Sequence, residues 1–194
     1  MSHSAARRLG AASLVAAVLA SFVTAGDASA EVKKLMSMCP GQKLCAWFQS
    51  TVTPPKGWVE DRDSGEQNHV TILLPDKDDV DFNDPMIYVQ TSLEPGTDTL
   101  EAIIAVNQAQ WRKQEPKGAI TPVGTAPRAS GAAPFKLFLY QNPDKPKQAF
   151  ETIAYGFAIQ PNGGRYFLTV VDTAASTAAI DRSSDDFLAV LKGL

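Results

Sequence analysis

The stretch from Phe135 to Asp172, FKLFLYQNPDKPKQAFETIAYGFAIQPNGGRYFLTVVD, decides the fold. Three apolar runs stand in it: Phe135 to Gln141, Ala149 to Ile159 and Arg165 to Asp172. Asn142-Pro143-Asp144-Lys145-Pro146 separates the first two, and Pro161-Asn162-Gly163-Gly164 separates the last two. Turns this short bring consecutive strands back beside one another, so the runs predict an antiparallel meander. In the first run Phe135, Leu137 and Leu139 alternate with Phe138 and Tyr140. The first and third runs are apolar on both faces, which fits interior strands covered by helices on either side.

Working outward, two helices are expected. Leu100, Ile103, Ile104, Asn107 and Trp111 recur at helical spacing behind Asp98, with Glu101 completing a capping box, and Pro116-Lys117-Gly118 ends the segment. The second helix is predicted from Asp185 to Lys192, after the capping box Ser183 to Asp186, and presents Phe187, Val190 and Leu191 to the sheet. Toward the N-terminus, Leu44 to Thr53, Trp58-Val59, His69 to Leu74 and Pro85 to Ser92 read as strands, and Ile120 to Val123 as a short one. Asp61 to Asn68 reads as a polar turn. Short hairpins outnumber crossovers, so the fold class is α+β: a central antiparallel sheet flanked by helices in one domain spanning 44–194.

The first thirty residues are set apart. Arg7 and Arg8 precede an apolar run from Leu9 to Val23, and Ala25 to Ala30 is a small-residue stretch with an Ala-x-Ala end. This is the order of a secretory signal peptide cut after Ala30. The apolar run is shorter than the roughly 20 residues that span a bilayer. Residues 31–43 read as a lead-in ending at the Pro40-Gly41 turn. Removing Arg7, Arg8 and Asp27 moves the net charge from −3 to −4, with the basic residues scattered. That balance disfavours nucleic acid, which demands a concentrated positive face, and adsorption to an anionic membrane surface. Export also gives the two cysteines a reading: Cys39 and Cys45 are expected to form a local structural disulfide, adding about 2 kcal/mol by closing a short loop.

Signals for chemistry are sparse. Beyond residue 30 the sole histidine is His69, so any Ser-His or Cys-His site would hinge on it, and no nucleophile-elbow motif accompanies it. A zinc site with two histidines is excluded by count. The acidic loop 76–84 offers Asp76, Asp78, Asp79, Asp81 and Asp84 as a pool of cation ligands. Asp79, Asp81 and Asn83 fall at the first, third and fifth positions of a calcium loop. Asp84 stands where that loop requires Gly, and Gln90 where it requires Glu. Asp172 and Glu151 lie in strands and read as hydrogen-bonded or surface groups before catalytic ones. No glycine motif cradles a phosphate, and no cofactor site is indicated. Among the aromatic residues Trp58, after Pro54-Pro55-Lys56-Gly57, is expected to be partly exposed and available to a partner.

Pro55-Lys56-Gly57-Trp58, the strand ending Leu73-Leu74-Pro75, then Met86-Ile87-Tyr88-Val89 leading into Pro95-Gly96-Thr97 and a helix, resembles the PsbP/Mog1 superfamily. The resemblance covers residues 44–192 in element order and turn signatures. It implies a central antiparallel sheet with helices on both sides, and a binding or assembly role. The family includes a Ran-binding import factor, an extrinsic photosystem II subunit and exported bacterial proteins, and the export signal sets this chain with the bacterial branch. No catalytic motif is shared across the family, so none is carried over. The expected function is therefore an exported, non-enzymatic binding or accessory protein, periplasmic or secreted. Its expected partner is another envelope or secreted protein, without membrane insertion. The alternatives are a hydrolase with a carboxylate-based site and a weak cation-binding protein using loop 76–84.

Overall fold

A computed structural model describes residues 30–39, 43–81, 83–142 and 150–194, the side chain of Cys39 excepted. The expected signal segment and the Pro40-Gly41 turn lie outside the described residues, as does nearly all of the turn between the first two meander runs. The meander is present: β7 (Phe135–Gln141), β8 (Phe150–Ile159) and β9 (Arg165–Ala174) pair antiparallel in sequence. The sheet extends outward from them in the order β1-β2-β5-β9-β8-β7-β6, where β1 is Val32–Cys39, β2 Lys43–Ser50, β5 Met86–Leu93 and β6 Ala119–Ala126. Two further strands, β3 (Trp58–Glu60) and β4 (Thr71–Pro75), lie off that path, β4 pairing with both β3 and β5. This is the α+β architecture with a multi-stranded antiparallel sheet flanked by helices.

Alternation along the strands divides the core in two. Phe135, Leu137, Ala154, Leu168 and Val170 pack with Phe187, Val190 and Leu191 of α3 (Thr177–Gly193) on one face. Tyr140, Ile153, Tyr155, Phe167 and Val171 pack on the other against Leu100, Ile103, Ile104 and Trp111 of α2 (Leu100–Gln114). The apolar stripe predicted for α2 therefore faces the sheet, and burying such side chains contributes about 1.5–3 kcal/mol each. On this face the Tyr140 and Tyr155 hydroxyls satisfy each other at 2.9 Å.

Local differences from the expectations have identifiable causes. Thr99, not Asp98, caps α2, its Oγ1 accepting from the Ala102 amide at 3.2 Å. Helix α3 begins eight residues early, capped by Ser176. Ser183, expected at a cap, sits inside it, because the hydroxyl has the buried Asp172 as a partner. The polar turn after Asp61 is a short helix, α1 (Arg62–Asn68), whose N-terminus Asp61 caps by accepting from the Ser64 amide at 3.1 Å. Among the described residues no helix is long and apolar enough to cross a membrane.

The residues expected as a lead-in are strand β1. All eight of its residues pair with β2, from Val32 opposite Ser50 to Cys39 opposite Lys43. The expected Cys39–Cys45 disulfide falls on Cys39, whose side chain lies outside the described residues. The register sets Cys45 opposite Ser37, two residues along β2 from Lys43, the partner of Cys39; Cys45 is disulfide-bonded, and among the described residues no cysteine is free. The backbone ladder ties this segment along its whole length.

Candidate functional site

The hairpin β1–β2 joins the sheet through a narrow junction. Of its residues, Phe48 alone pairs with β5, opposite Thr91, while β4 pairs with the neighbouring residues Ile87 to Val89 of the same β5 edge. Two strands thus compete for one edge, and the hairpin splays away from β3 and α1. The result is an open groove of about 730 Å³ between them. Leu35, Val52 and Val59 supply apolar walls, and Lys33, Glu60, Arg62 and Glu66 its charged rim. A smaller recess of about 140 Å³ between Leu35, Ser37, Trp47 and Glu66 continues it beneath the hairpin.

The groove is braced at both ends. Gln49 Nε2 donates to Glu60 Oε1 at 3.2 Å, and Arg62 Nε lies 3.4 Å from Glu60 Oε2. At the far end Ser37 Oγ and His69 Nε2 are 2.7 Å apart, and the His69 ring stacks on buried Trp47 with centroids 5.5 Å apart. His69 closes α1 in the left-handed conformation, φ 57°, a geometry uncommon for a residue with a Cβ. After Asn68, the seventh and last residue of α1, the chain turns sharply at His69 toward β4, and the ring is thereby aimed at the hairpin. A serine–histidine pair at this distance is the geometry of a nucleophile and its base, which also requires a group orienting the second ring nitrogen. Among the described residues no carboxylate hydrogen-bonds that ring. The pair ties the hairpin to α1.

The other sequence-selected residues lie elsewhere. Trp58 is buried, not exposed: its ring joins the α3-side core and its Nε1 donates to Asp186 Oδ2 at 2.9 Å. The acidic loop is a self-bonded turn, with the Asp81 amide donating to Asp84 Oδ2, the Asn83 amide donating to Asp81 Oδ1, and Lys77 paired with Asp84. That lysine, with the Asp81 amide, holds the Asp84 carboxyl below the usual range. Asp81 and Asp84 border an apolar recess of about 270 Å³ with Leu74, Val80 and Met86. Among the described residues no three His, Cys, Asp or Glu side chains are grouped to hold a metal ion. Burial raises the Glu151 carboxyl.

Asp172 is fully buried under α3. Burial pushes its carboxyl up to about 7, against the lowering effect of the Ser183 bond. Asp172 Oδ2 lies 2.8 Å from Ser183 Oγ, and the carbonyls of Ala179 and Ile180 at 3.2 and 3.1 Å. Three acceptors surround a hydroxyl that owns one proton. Ser183 donates to Asp172 Oδ2, with the two helix carbonyls within reach of the same hydroxyl.

What sequence reasoning missed is the groove itself. Ser37, Trp47 and Gln49 carry no motif, and their one signal was the alternation in Leu35–Ser37 and Cys45–Trp47–Gln49, which marks the face of a hairpin. Fold and groove define the molecule as an α+β protein with a helix-flanked antiparallel sheet and a hairpin-roofed cleft at one edge. No protein-family model matches the chain, and no curated protein does. Among solved structures the chain is similar to LpqN of Mycobacterium tuberculosis, described as involved in cell envelope biogenesis. Identity is 14%, over 84% of this chain and 89% of that chain, with a TM-score of 0.49.

Proposed function

We propose that this protein is an exported, non-enzymatic accessory protein of a bacterial envelope that holds another envelope or secreted protein in the groove between hairpin β1–β2 and α1. The observation that carries the reading is the groove's composition and placement. It is open, about 730 Å³, apolar on its walls and charged with both signs on its rim. A largely preformed cleft with a few placed polar groups is the usual form of a binding site, and one balanced between Lys33 and Arg62 on one hand and Glu60 and Glu66 on the other suits a polar protein segment. The signal-like residues 1–30 support export to the periplasm or medium, and the turn signatures quoted above support a place near the PsbP/Mog1 superfamily, whose members bind and assemble.

The test is site-directed photo-crosslinking in cells. A benzophenone amino acid at Val59, exposed on the groove wall, is expected to give a discrete protein adduct in the envelope or secreted fraction. The same group at Val106, exposed on α2, serves as the control. Adducts from Val106 with none from Val59 would overturn the reading.

A further inference from the structure

The two ends of the sheet are not alike. At one end β6 is blunted: Pro122 interrupts its donors, the register shifts between Pro122 and Gly124, and Gly124 takes φ +133°. Such devices keep a strand edge from pairing with another chain. At the other end β1 runs through eight consecutive pairs with no proline and no bulge.

The phase of β1 follows from one bond. The Thr51 amide donates to the Glu31 carbonyl at 2.8 Å, so residue 31 and its odd-numbered successors turn their backbone groups toward β2. Even-numbered residues turn theirs outward. The first of these are already met: Gln160 Oε1 accepts from the Val32 amide and Gln160 Nε2 donates to the Ala30 carbonyl. One side-chain amide thus occupies two outward groups as the N–H and C=O of a neighbouring strand would. The next outward groups belong to Lys34, Met36 and Met38, and the side chains there lie open, Met36 at 57% and Met38 at 62% exposure, with Leu44 across the hairpin at 69%.

We infer that the outer edge of β1 accepts an extended segment of a partner protein as an added antiparallel or parallel strand, bonded to Lys34, Met36 and Met38 and alternating apolar residues with carboxylates. This deepens the proposed function, since the added strand lies beside the groove that Lys33 and Leu35 line, and it rests on that reading. Main-chain bonds supply affinity in this mode and alternate side chains the selectivity. Charge selects the occupant. Residues 31–50 hold Lys33, Lys34 and Lys43 against Glu31, a local excess of positive charge in a chain of net charge −3. A second copy would set its own Lys33 and Lys34 against these lysines, whereas a strand bearing aspartates meets them with opposite charge.

The experiment uses the full exported chain and a fluorescent peptide, acetyl-(Asp-Val) repeated three times, with three comparators: the same peptide N-methylated on alternate amides, a Lys-Val peptide, and the Met36→Pro protein. Because the Met36 amide points away from β2, proline there removes an outward donor and leaves the ladder intact, which the thermal melt verifies. Saturable binding of the Asp-Val peptide is expected, weakened at least tenfold by N-methylation, by Lys for Asp and by Met36→Pro, with slowed amide exchange at Met36 and Met38. Equal binding by the folded Met36→Pro protein, indifference to N-methylation, or no binding would overturn the added strand. So would a free protein that sediments as a dimer with those two amides protected, because a second copy then holds the edge. The Val59 adduct in the Met36→Pro background separates the two readings: if it persists while the peptide fails, the strand reading alone falls.

Discussion

Asp172→Asn is the sharpest test of how α3 is held to the sheet. In the folded protein the Asp172 carboxyl is pushed up to about 7 by burial, whereas in the unfolded chain it returns to its ordinary value near 3.8. Below about pH 4 both states carry the proton and the group is neutral toward stability. Between about pH 4 and 7 the folded state holds more protons than the unfolded one, so stability falls as pH rises, by up to ~1.4 kcal/mol per pH unit. Above pH 7 the loss is complete. The separation of roughly three units corresponds to about 4 kcal/mol, the upper end of what the group can cost at pH 8. Asn cannot ionise. It leaves a donor at the place of Oδ1, which has no partner, at a cost of about 1–3 kcal/mol that does not depend on pH. The two stability curves should therefore cross: the variant weaker at pH 4, stronger at pH 8. Urea unfolding followed by tryptophan fluorescence from pH 4 to 9 measures the difference. A parent-minus-variant difference that stays flat across this range would refute a carboxyl raised by burial under α3.

Two other expectations follow from packing. Gly156→Ala places a methyl group 2.7 Å from Cδ1 of Phe135, which is fully buried and has no room to retreat, so a loss of about 1–3 kcal/mol is expected in thermal melts. Trp58→Phe keeps the ring in the core but removes the bond to Asp186; a loss of about 1–2 kcal/mol is expected by urea titration, and none if Trp58 were the solvent-facing residue the sequence suggested.

The meander was legible because its information is local. Period-two alternation and short Pro- and Gly-bearing turns lie within 135–172, and the faces assigned to Phe135 and Leu137, and to Phe138 and Tyr140, are the faces observed. Helix α2 was legible for the same reason, through its stripe from Leu100 to Trp111. The start of α3 was not. Asp181 to Asp186 is polar on every side in sequence, and Ser183 belongs inside only because Asp172, eleven residues away on β9, gives its hydroxyl a partner. Trp58 was misjudged similarly: a proline-rich turn before it suggested exposure, while Asp186, 128 residues on, receives its indole N–H.

The sequence by itself determined the strand meander, the two-sided core and the helix that covers one face, since each depends on side chains a few residues apart. Only tertiary structure decided the groove and the open edge. The groove exists because β2 and β4 share one flank of β5, and the edge of β1 is open from Lys34 onward because Gln160, far along the chain, reaches Ala30 and Val32 and no farther. Both are relations between segments that lie far apart in the chain, and no spacing within either segment encodes the distance to the other.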